Sequence, residues 1–431
     1  MARSVVAAAD HHTLLSDNSK MNFLFIHQNF PGQYRHLAPA LARRAGNTVV
    51  AFRMGESAQA AGVKIIGYQV KPPGSTAGHA WLTDLQPKLV RAEALARAAA
   101  SLKNQGFTPD AIIAHPGWGE TLLVAEIWPR TPIGLYSEFF YSANGADVGF
   151  DPEFPPQGDA LQNAGRLRLK NLNQLLAFED AALGISPTHW QQSLYPDRLR
   201  QKIEVIHDGI ETDSLRPNPN VQMRLREKTS LSREDEVITF VNRNLEPYRG
   251  YHVFIRALPE LLRRRPKARI LIVGGDGTSY GASPPTGKSW RNIFLDEVKS
   301  ELDMSRVHFV GKLPYPDFVQ MMQLSRVHVY LTYPFVLSWS LLEAMSIGCA
   351  IVASDTAPVR EVIDNGNEGL LVDFFNGQQL VDRVCDALDD ASLRATLGQK
   401  ARARTIENYD LHGQCLPRQL RWVESLLSTR T

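Results

Sequence analysis

The chain has 431 residues, 44% apolar and 21% charged, enough for two domains of about 200 residues, each with a large core. A net charge of +2 gives no bulk attraction for nucleic acid. Three scattered cysteines (Cys349, Cys385, Cys415), with no Cys-x-x-Cys pair, point to neither a structural zinc site nor a disulfide framework, and they suit a reducing cytoplasm. No run approaches the ~18 apolar residues of a membrane span. Residues 1–20 lack the apolar centre of a signal peptide and read as a disordered leader before a folded unit starting at Met21.

In chain order, Asn22–His27 is a short apolar run that predicts a buried strand. A helical stretch from Tyr34 to Arg44 follows and stops at Arg43-Arg44-Ala45-Gly46, basic residues before a glycine. A strand over 47–52 completes a parallel βαβ unit. The pattern continues through strand 63–68, helix 83–103, strands 111–114 and 133–136, one long helix over 160–180, and strand 181–185. The polar stretch 206–218 (His-Asp-Gly-Ile-Glu-Thr-Asp-Ser-Leu-Arg-Pro-Asn-Pro) reads as a linker. The alternation then restarts with strand 237–242, helix 250–263, strand 268–273, helix 289–302, strand 308–310, helix 315–323 and strand 327–331. Two α/β domains, 21–205 and 213–412, are therefore expected to face each other across a cleft at the carboxyl ends of their strands. An amphipathic helix over 413–431 is expected to cross back to the first domain.

Several segments carry chemistry. The second half opens with Val241-Asn242-Arg243-Asn244-Leu245-Glu246-Pro247-Tyr248-Arg249-Gly250. Arg243 and Arg249, on a loop between strand and helix, would suit a diphosphate; such a pair also serves as solvated surface charge. Glu343 sits in the apolar helix segment Leu341–Ile347, where a carboxylate needs a partner or a ligand. In the first half, Gly32 in Phe30-Pro31-Gly32-Gln33 allows close backbone approach to a ligand, or simply makes a turn. His115 ends strand 111–114, and Tyr136 and Glu138 follow strand 133–136. His115 could meet the reacting centre or merely pack; Glu138 could bind the acceptor, act as a base or form a salt bridge. Two look-alikes are rejected: Gly281…Gly287-Lys288-Ser289 has the wrong spacing and a Pro-Pro break for a phosphate loop, and Gly274-Gly275-Asp276-Gly277 is not followed at once by a helix. Arg263-Arg264-Arg265-Pro266-Lys267 reads as a helix C-terminus, with an anionic membrane surface as the other use.

Taken together, these segments resemble a family 4 (group 1) retaining glycosyltransferase of the GT-B fold. The resemblance is carried by Asn242-Arg243 and Arg249-Gly250, His207-Asp208-Gly209-Ile210-Glu211, Val273-Gly274-Gly275, Phe309-Val310-Gly311-Lys312-Leu313, Glu343 to Gly348 and Val359-Arg360-Glu361. It is strong over about 180–410 and loose over 21–180. It implies transfer of a hexose from a UDP- or GDP-sugar to an acceptor hydroxyl with retention, in polysaccharide or glycoconjugate biosynthesis, without cofactor or metal. Arg243, Arg249 and His115 would be the catalytic residues. Gly32, the strand end Gly311-Lys312-Leu313, the Ser338-Trp339-Ser340 segment and Glu343 would bind the donor. Glu138 and Tyr136 would face the acceptor: a carbohydrate, a lipid-linked glycan or a small molecule. The implied location is cytoplasmic, with a peripheral contact at the inner membrane face as a further option.

One departure stands out. The family expects an acid eight residues before Glu343, touching the transferred sugar, and that position is Phe335. The family's usual sugar preferences therefore do not carry over. Rival readings are an epimerase or phosphorylase on the same scaffold, or a non-catalytic nucleotide-sugar-binding protein.

Overall fold

The computed structural model describes residues 20–56, 58–71, 78–156, 158–225 and 230–430. The proposed leader, save Lys20, lies outside them. Phe23, Leu24, Phe25 and Ile26 are all fully buried, a continuous apolar run with no polar face, which is what a central parallel strand requires. It forms β1 (Asn22–Ile26), pairing in parallel with β2 (Thr48–Met54) on one side and β4 (Ala111–Ala114) on the other. With β3 (Val63–Tyr68), β5 (Ile133–Tyr136), β6 (Ala181–Ser186) and β7 (Ile203–Val205), the first sheet has seven strands in the order β3-β2-β1-β4-β5-β6-β7. After a small hairpin of β8 (Gln222–Arg224) and β9 (Ser230–Ser232), a second parallel sheet follows. Its strands are β10 (Val237–Asn244), β11 (Arg269–Gly275), β12 (Val307–Gly311), β13 (Val327–Tyr330), β14 (Ala350–Ser354) and β15 (Leu370–Val372), in the order β12-β11-β10-β13-β14-β15. Strand order reverses at β1 in one sheet and at β10 in the other. A crevice therefore opens at the carboxyl ends of β1/β4 and of β10/β13.

Some expectations need correction. The helix expected over 34–44 is shortened to Leu37–Ala42 after a tight turn over Gly32–Tyr34. The helix expected over 160–180 breaks at Asn171 into Ala160–Lys170 and Leu172–Asp180. The Asn171 amide accepts from Tyr141 N (3.0 Å) and donates to Tyr141 O (2.8 Å), so this long-range pairing fixes the break. The terminal helix starts only at Leu416 and runs to Ser428, after a wide turn over Leu411–Cys415. The hairpin β8/β9 has three-residue strands, too short for a periodicity to register.

The terminal helix packs on the first sheet. Trp422, Val423, Leu426 and Leu427 are buried with Phe23, Phe25 and Tyr34, and Trp422 Nε1–H donates to Gly184 O at 3.1 Å. A Cβ on Gly134 would stand 2.5 Å from the Trp422 ring, so this strand glycine makes room for the indole. Trp422→Ala is expected to cost about 3–5 kcal/mol in denaturant unfolding of the first domain; a loss under ~1 kcal/mol would mean that the helix is not anchored there.

The two domains meet along a seam. The outgoing linker and the returning chain run side by side: Ile210 N donates to Tyr409 O, and Leu411 N to Ile210 O, both at 2.8 Å. Gly209, at φ +96°, allows this approach, since a Cβ there would sit 2.5 Å from Leu411. Following β5, a loop of the first domain reaches across. Asp151 accepts from Tyr333 OH (2.6 Å) and lies 3.0 Å from His252 Nε2, and Asp147 accepts from Tyr248 OH (2.9 Å). Asp151, Glu153 and His252 stand close enough to hold a cation, a grouping that no sequence motif announces. Opposite β7, Glu361 accepts from His189 N and Trp190 N, both 2.7 Å, capping a first-domain helix from the second domain.

Candidate active site

Between the crevices lies a cleft of about 990 Å³, the size of a small-molecule site. Its second-domain wall is built around Arg249, which is only 6% exposed. One guanidinium nitrogen donates to Thr332 Oγ1 (2.8 Å) and Val336 O (2.9 Å), tying the loop after β10 to the chain after β13. The same guanidinium stands 5.2 Å from the Tyr280 ring centroid and 5.8 Å from that of Phe335. A buried guanidinium stays charged, so it is a fixed cation at the cleft wall. Arg243 also lines the cleft but is exposed.

Next to Arg249 comes the N-terminus of helix Trp339–Ile347. Ser338 caps it, its Oγ accepting from Ser340 N at 3.3 Å, while Ser338 N donates to Tyr330 OH at 3.0 Å. Ser338, Trp339 and Ser340 all line the cleft, so the positive end of the helix dipole faces it. One turn further, Glu343 is 5% exposed and accepts from Tyr315 OH at 2.8 Å. Burial raises its pKa, against the pull of that hydrogen bond and of Arg35. Lys312 lines the same region.

The resemblance assigns the strand end Gly311-Lys312-Leu313 to the base through its backbone groups. Gly311 and Leu313 are absent from the cleft lining. Gly311 closes β12, the edge strand of the sheet, and Leu313 packs against the second-domain core. Of that strand end, only the Lys312 side chain reaches the cleft.

The first-domain wall brings together Gly32, Tyr136 and Glu138, with His115 buried behind Glu138 and outside the cleft lining. His27 and His115 follow the two strands flanking the crevice, their rings 5.3 Å apart. His115 stacks on Trp118 at 4.2 Å and on Tyr136 at 5.6 Å, and its Nε2 lies 3.4 Å from Glu138 Oε2. Burial, with His115 beside it, drives His27 down to a pKa of about 3, so it is a neutral imidazole. Gly32 is required by close approach: at φ +48°, a Cβ would fall 2.4 Å from the His27 ring. Tyr136 OH does not point to an open acceptor space; it donates to Asp208 Oδ1 at 2.8 Å. Trp339 Nε1–H donates to the other Asp208 oxygen at 2.7 Å, and Arg35 sits 4.6 Å above the Trp339 ring. The linker aspartate thus joins both walls. Burial pushes its pKa up to about 6.

Phe335, in place of the expected acid, is 4% exposed. Its ring lies 4.6 Å from Phe139, 4.8 Å from Tyr280 and 5.4 Å from Tyr248. It closes an aromatic seam between the domains.

Sequence reasoning missed His27, Gln33, Arg35, Trp118, Asp208, Glu246 and Tyr280 as cleft residues. Glu246 is buried and accepts from Ser279 N and Tyr280 N, both 3.0 Å, holding the Tyr280 loop against the cleft. Only His27 had a readable signal, its place at the end of a predicted strand. The basic run over 263–267 is largely neutralised: Arg263 pairs with Glu260, Arg264 with Asp382, and Arg265 with Glu236 and Asp389. No helix among the described residues is long and apolar enough to cross a membrane.

Two doubly wound domains with a polar, cation-lined cleft at their facing strand ends define a two-domain α/β protein of the GT-B type. The model described as "Glycosyl transferase family 4 group" matches residues 45–215, and "Glycosyl transferases group 1" matches 221–404. The chain belongs to the group 1, family 4 glycosyltransferases. It is 28% identical over 207 residues to a D-inositol 3-phosphate glycosyltransferase of Corynebacterium aurimucosum, covering 48% of this chain and 47% of that protein. The match spans about half the length of such relatives. Among solved structures, a sucrose-phosphate synthase from Thermosynechococcus elongatus superposes with TM-score 0.72 at 17% identity, over 95% of this chain and 100% of that one. HepE of Anabaena in complex with UDP and glucose gives 0.63 at 18% identity, over 94% and 100%. These likenesses show the fold.

Proposed function

We propose that this chain transfers a sugar from a nucleoside-diphosphate donor, UDP- or GDP-linked, to a hydroxyl of a carbohydrate, lipid-linked glycan or small-molecule acceptor. The observation that carries the proposal is the convergence on one cleft wall of a buried cation, a capped helix N-terminus and a buried carboxylate one turn along. Arg249, with the exposed Arg243, and the helix N-terminus at 338–340 suit a diphosphate, and Glu343 suits the two vicinal ribose hydroxyls. In the reaction, the bond between the anomeric carbon and the diphosphate oxygen breaks, the acceptor oxygen bonds to that carbon, and the acceptor hydroxyl's proton passes to the departing diphosphate. The charge left on the diphosphate is stabilised by groups already in place. We further propose attack on the leaving-group face, with retention, and no need for a metal. The basic run at 263–267 adds little to a membrane contact, given its carboxylate partners.

The test is a thermal-shift screen against UDP, GDP, ADP, dTDP and CMP, followed by turnover of the matching sugars with and without EDTA. One diphosphate at 100 times its dissociation constant should stabilise the fold by about 2.7 kcal/mol. Turnover should survive EDTA, and proton NMR of the product should show the donor's anomer. No response to any nucleotide would sink the proposal. Stabilisation with no turnover of any sugar would favour the binding-protein reading, which Phe335 alone supports.

A further inference from the structure

Four carboxylates line the cleft: Glu138, Asp208, Glu246 and Glu343. Three are buried; Asp208 and Glu246 have both oxygens committed to protein donors, and Glu343 keeps one oxygen for the ribose. Asp208 serves Tyr136 and Trp339, Glu246 serves two backbone amides, and Glu343 serves Tyr315. Glu138 differs, its side chain being 28% exposed.

Its partners form a chain with a fixed direction. His27 Nδ1 accepts from Asn29 N at 2.9 Å, so the ring proton of the neutral imidazole sits on Nε2. That proton is given to Gln33 Oε1 at 2.7 Å. The Gln33 amide is thereby turned so that its Nε2 donates to Glu138 Oε1 at 2.8 Å. On the other side, His115 Nδ1 accepts from Gly117 N at 3.1 Å, which leaves an Nε2–H facing Glu138 Oε2. Oε1 meets the Gln33 amide at hydrogen-bond distance, Oε2 faces His115 Nε2 at a longer 3.4 Å, and each oxygen keeps a lone pair. An N–H directed at each oxygen favours the ionised form. Burial alone would raise the Glu138 pKa, but the N–H groups of His115 and Gln33 more than offset it and hold it below the usual range.

We infer that Glu138 binds a sugar hydroxyl of the substrate, and that Gln33, oriented by His27, is the positioning residue that keeps it an acceptor-only group. The inference rests on the sugar-transfer reading and deepens it. It gives the cleft a carboxylate for hydroxyls from the first domain, where Phe335 on the second offers none.

Saturation-transfer NMR tests it with D-glucose and D-mannose in the presence of UDP or GDP, and with UDP-glucose and GDP-mannose alone. Glu138→Ala and the isosteric Glu138→Gln should lose most of the signal from sugar protons and keep that from base and ribose. Loss from the free sugar would place the hydroxyl on the acceptor, and loss from the hexose of the nucleotide sugar would place it on the transferred group; both support the inference. Sugar signals unchanged in both variants, or none in the wild type, would overturn it. Failure of the donor-site reading shows separately, as missing base and ribose signals in the wild type.

Gln33 has its own readout. Gln33→Leu removes a donor to the ionised form, so the ¹³C-carboxyl titration of Glu138 should move up by about one unit. The groups facing Glu138 are His27 and His115, with Tyr34, Tyr136, Tyr141, Tyr195 and Asp208 around them. None of these is changed by the substitution, and a titration identical to wild type would refute the positioning role.

Discussion

Replacing Arg249 by alanine is expected to lower nucleotide-sugar turnover by about 10²–10³-fold, the usual cost of removing one preplaced group that stabilises developing charge. The size follows from burial. Arg249 is held by Thr332 Oγ1 and Val336 O, so its position is set before any ligand arrives. An exposed arginine such as Arg243 must be ordered at the moment of binding, and its loss should cost less. Removing Arg249 also leaves buried acceptors unpaired, at a cost of about 1–3 kcal/mol in stability. Arg249→Lys separates the two effects. A lysine keeps the charge but cannot span the same partners with a planar fork. It should stay folded by circular dichroism and still lose most of the turnover. Wild-type turnover in either variant would remove Arg249 from the mechanism.

The second large effect belongs to Glu343. Glu343→Gln preserves shape and can still accept from Tyr315 OH, so the fold should hold. The charge proposed to grip two vicinal hydroxyls is gone, and hydrogen bonds to a charged group contribute about 1.5–3 kcal/mol. Affinity for the selected nucleoside diphosphate should therefore fall about 10- to 100-fold by calorimetry. Inorganic pyrophosphate, which has no ribose, is the control and should bind the variant as it binds the wild type. Equal losses for both ligands would assign Glu343 to the phosphates or to the fold; no loss for either would exclude a ribose role.

Much of this was legible in one dimension because it depends on local order. Runs such as Phe23–Ile26 or Ile270–Val273 are apolar without alternation, and only a strand buried on both faces tolerates that. Their alternation with helices predicts parallel sheets, and parallel sheets place ligands at their carboxyl ends. Arg249, Glu343, His115 and Glu138 could all be picked out as residues that follow strand ends or interrupt an apolar helix. The break at Asn171 could not, because it comes from a pairing with Tyr141 thirty residues away. Which side chain of the strand end Gly311-Lys312-Leu313 turns toward the cleft was not legible either, because a motif gives the order of residues and not their orientation.

The sequence by itself determined the two-domain α/β class, the family and the second-domain residues Arg249, Ser338 and Glu343 that line the cleft, since periodicity and motif spacing are properties of the chain. Tertiary structure alone decided which polar groups are spent on one another and which remain for a ligand. Asp208 looked like linker and became the joint between Tyr136 and Trp339, and Phe335 looked like a missing acid and became the interdomain seam. The direction of the chain from His27 through Gln33 to Glu138 likewise exists only once strands 22–26, 111–114 and 133–136 lie side by side. Hydrogen-bond direction and burial depend on distances between residues far apart in sequence, and folding sets those distances.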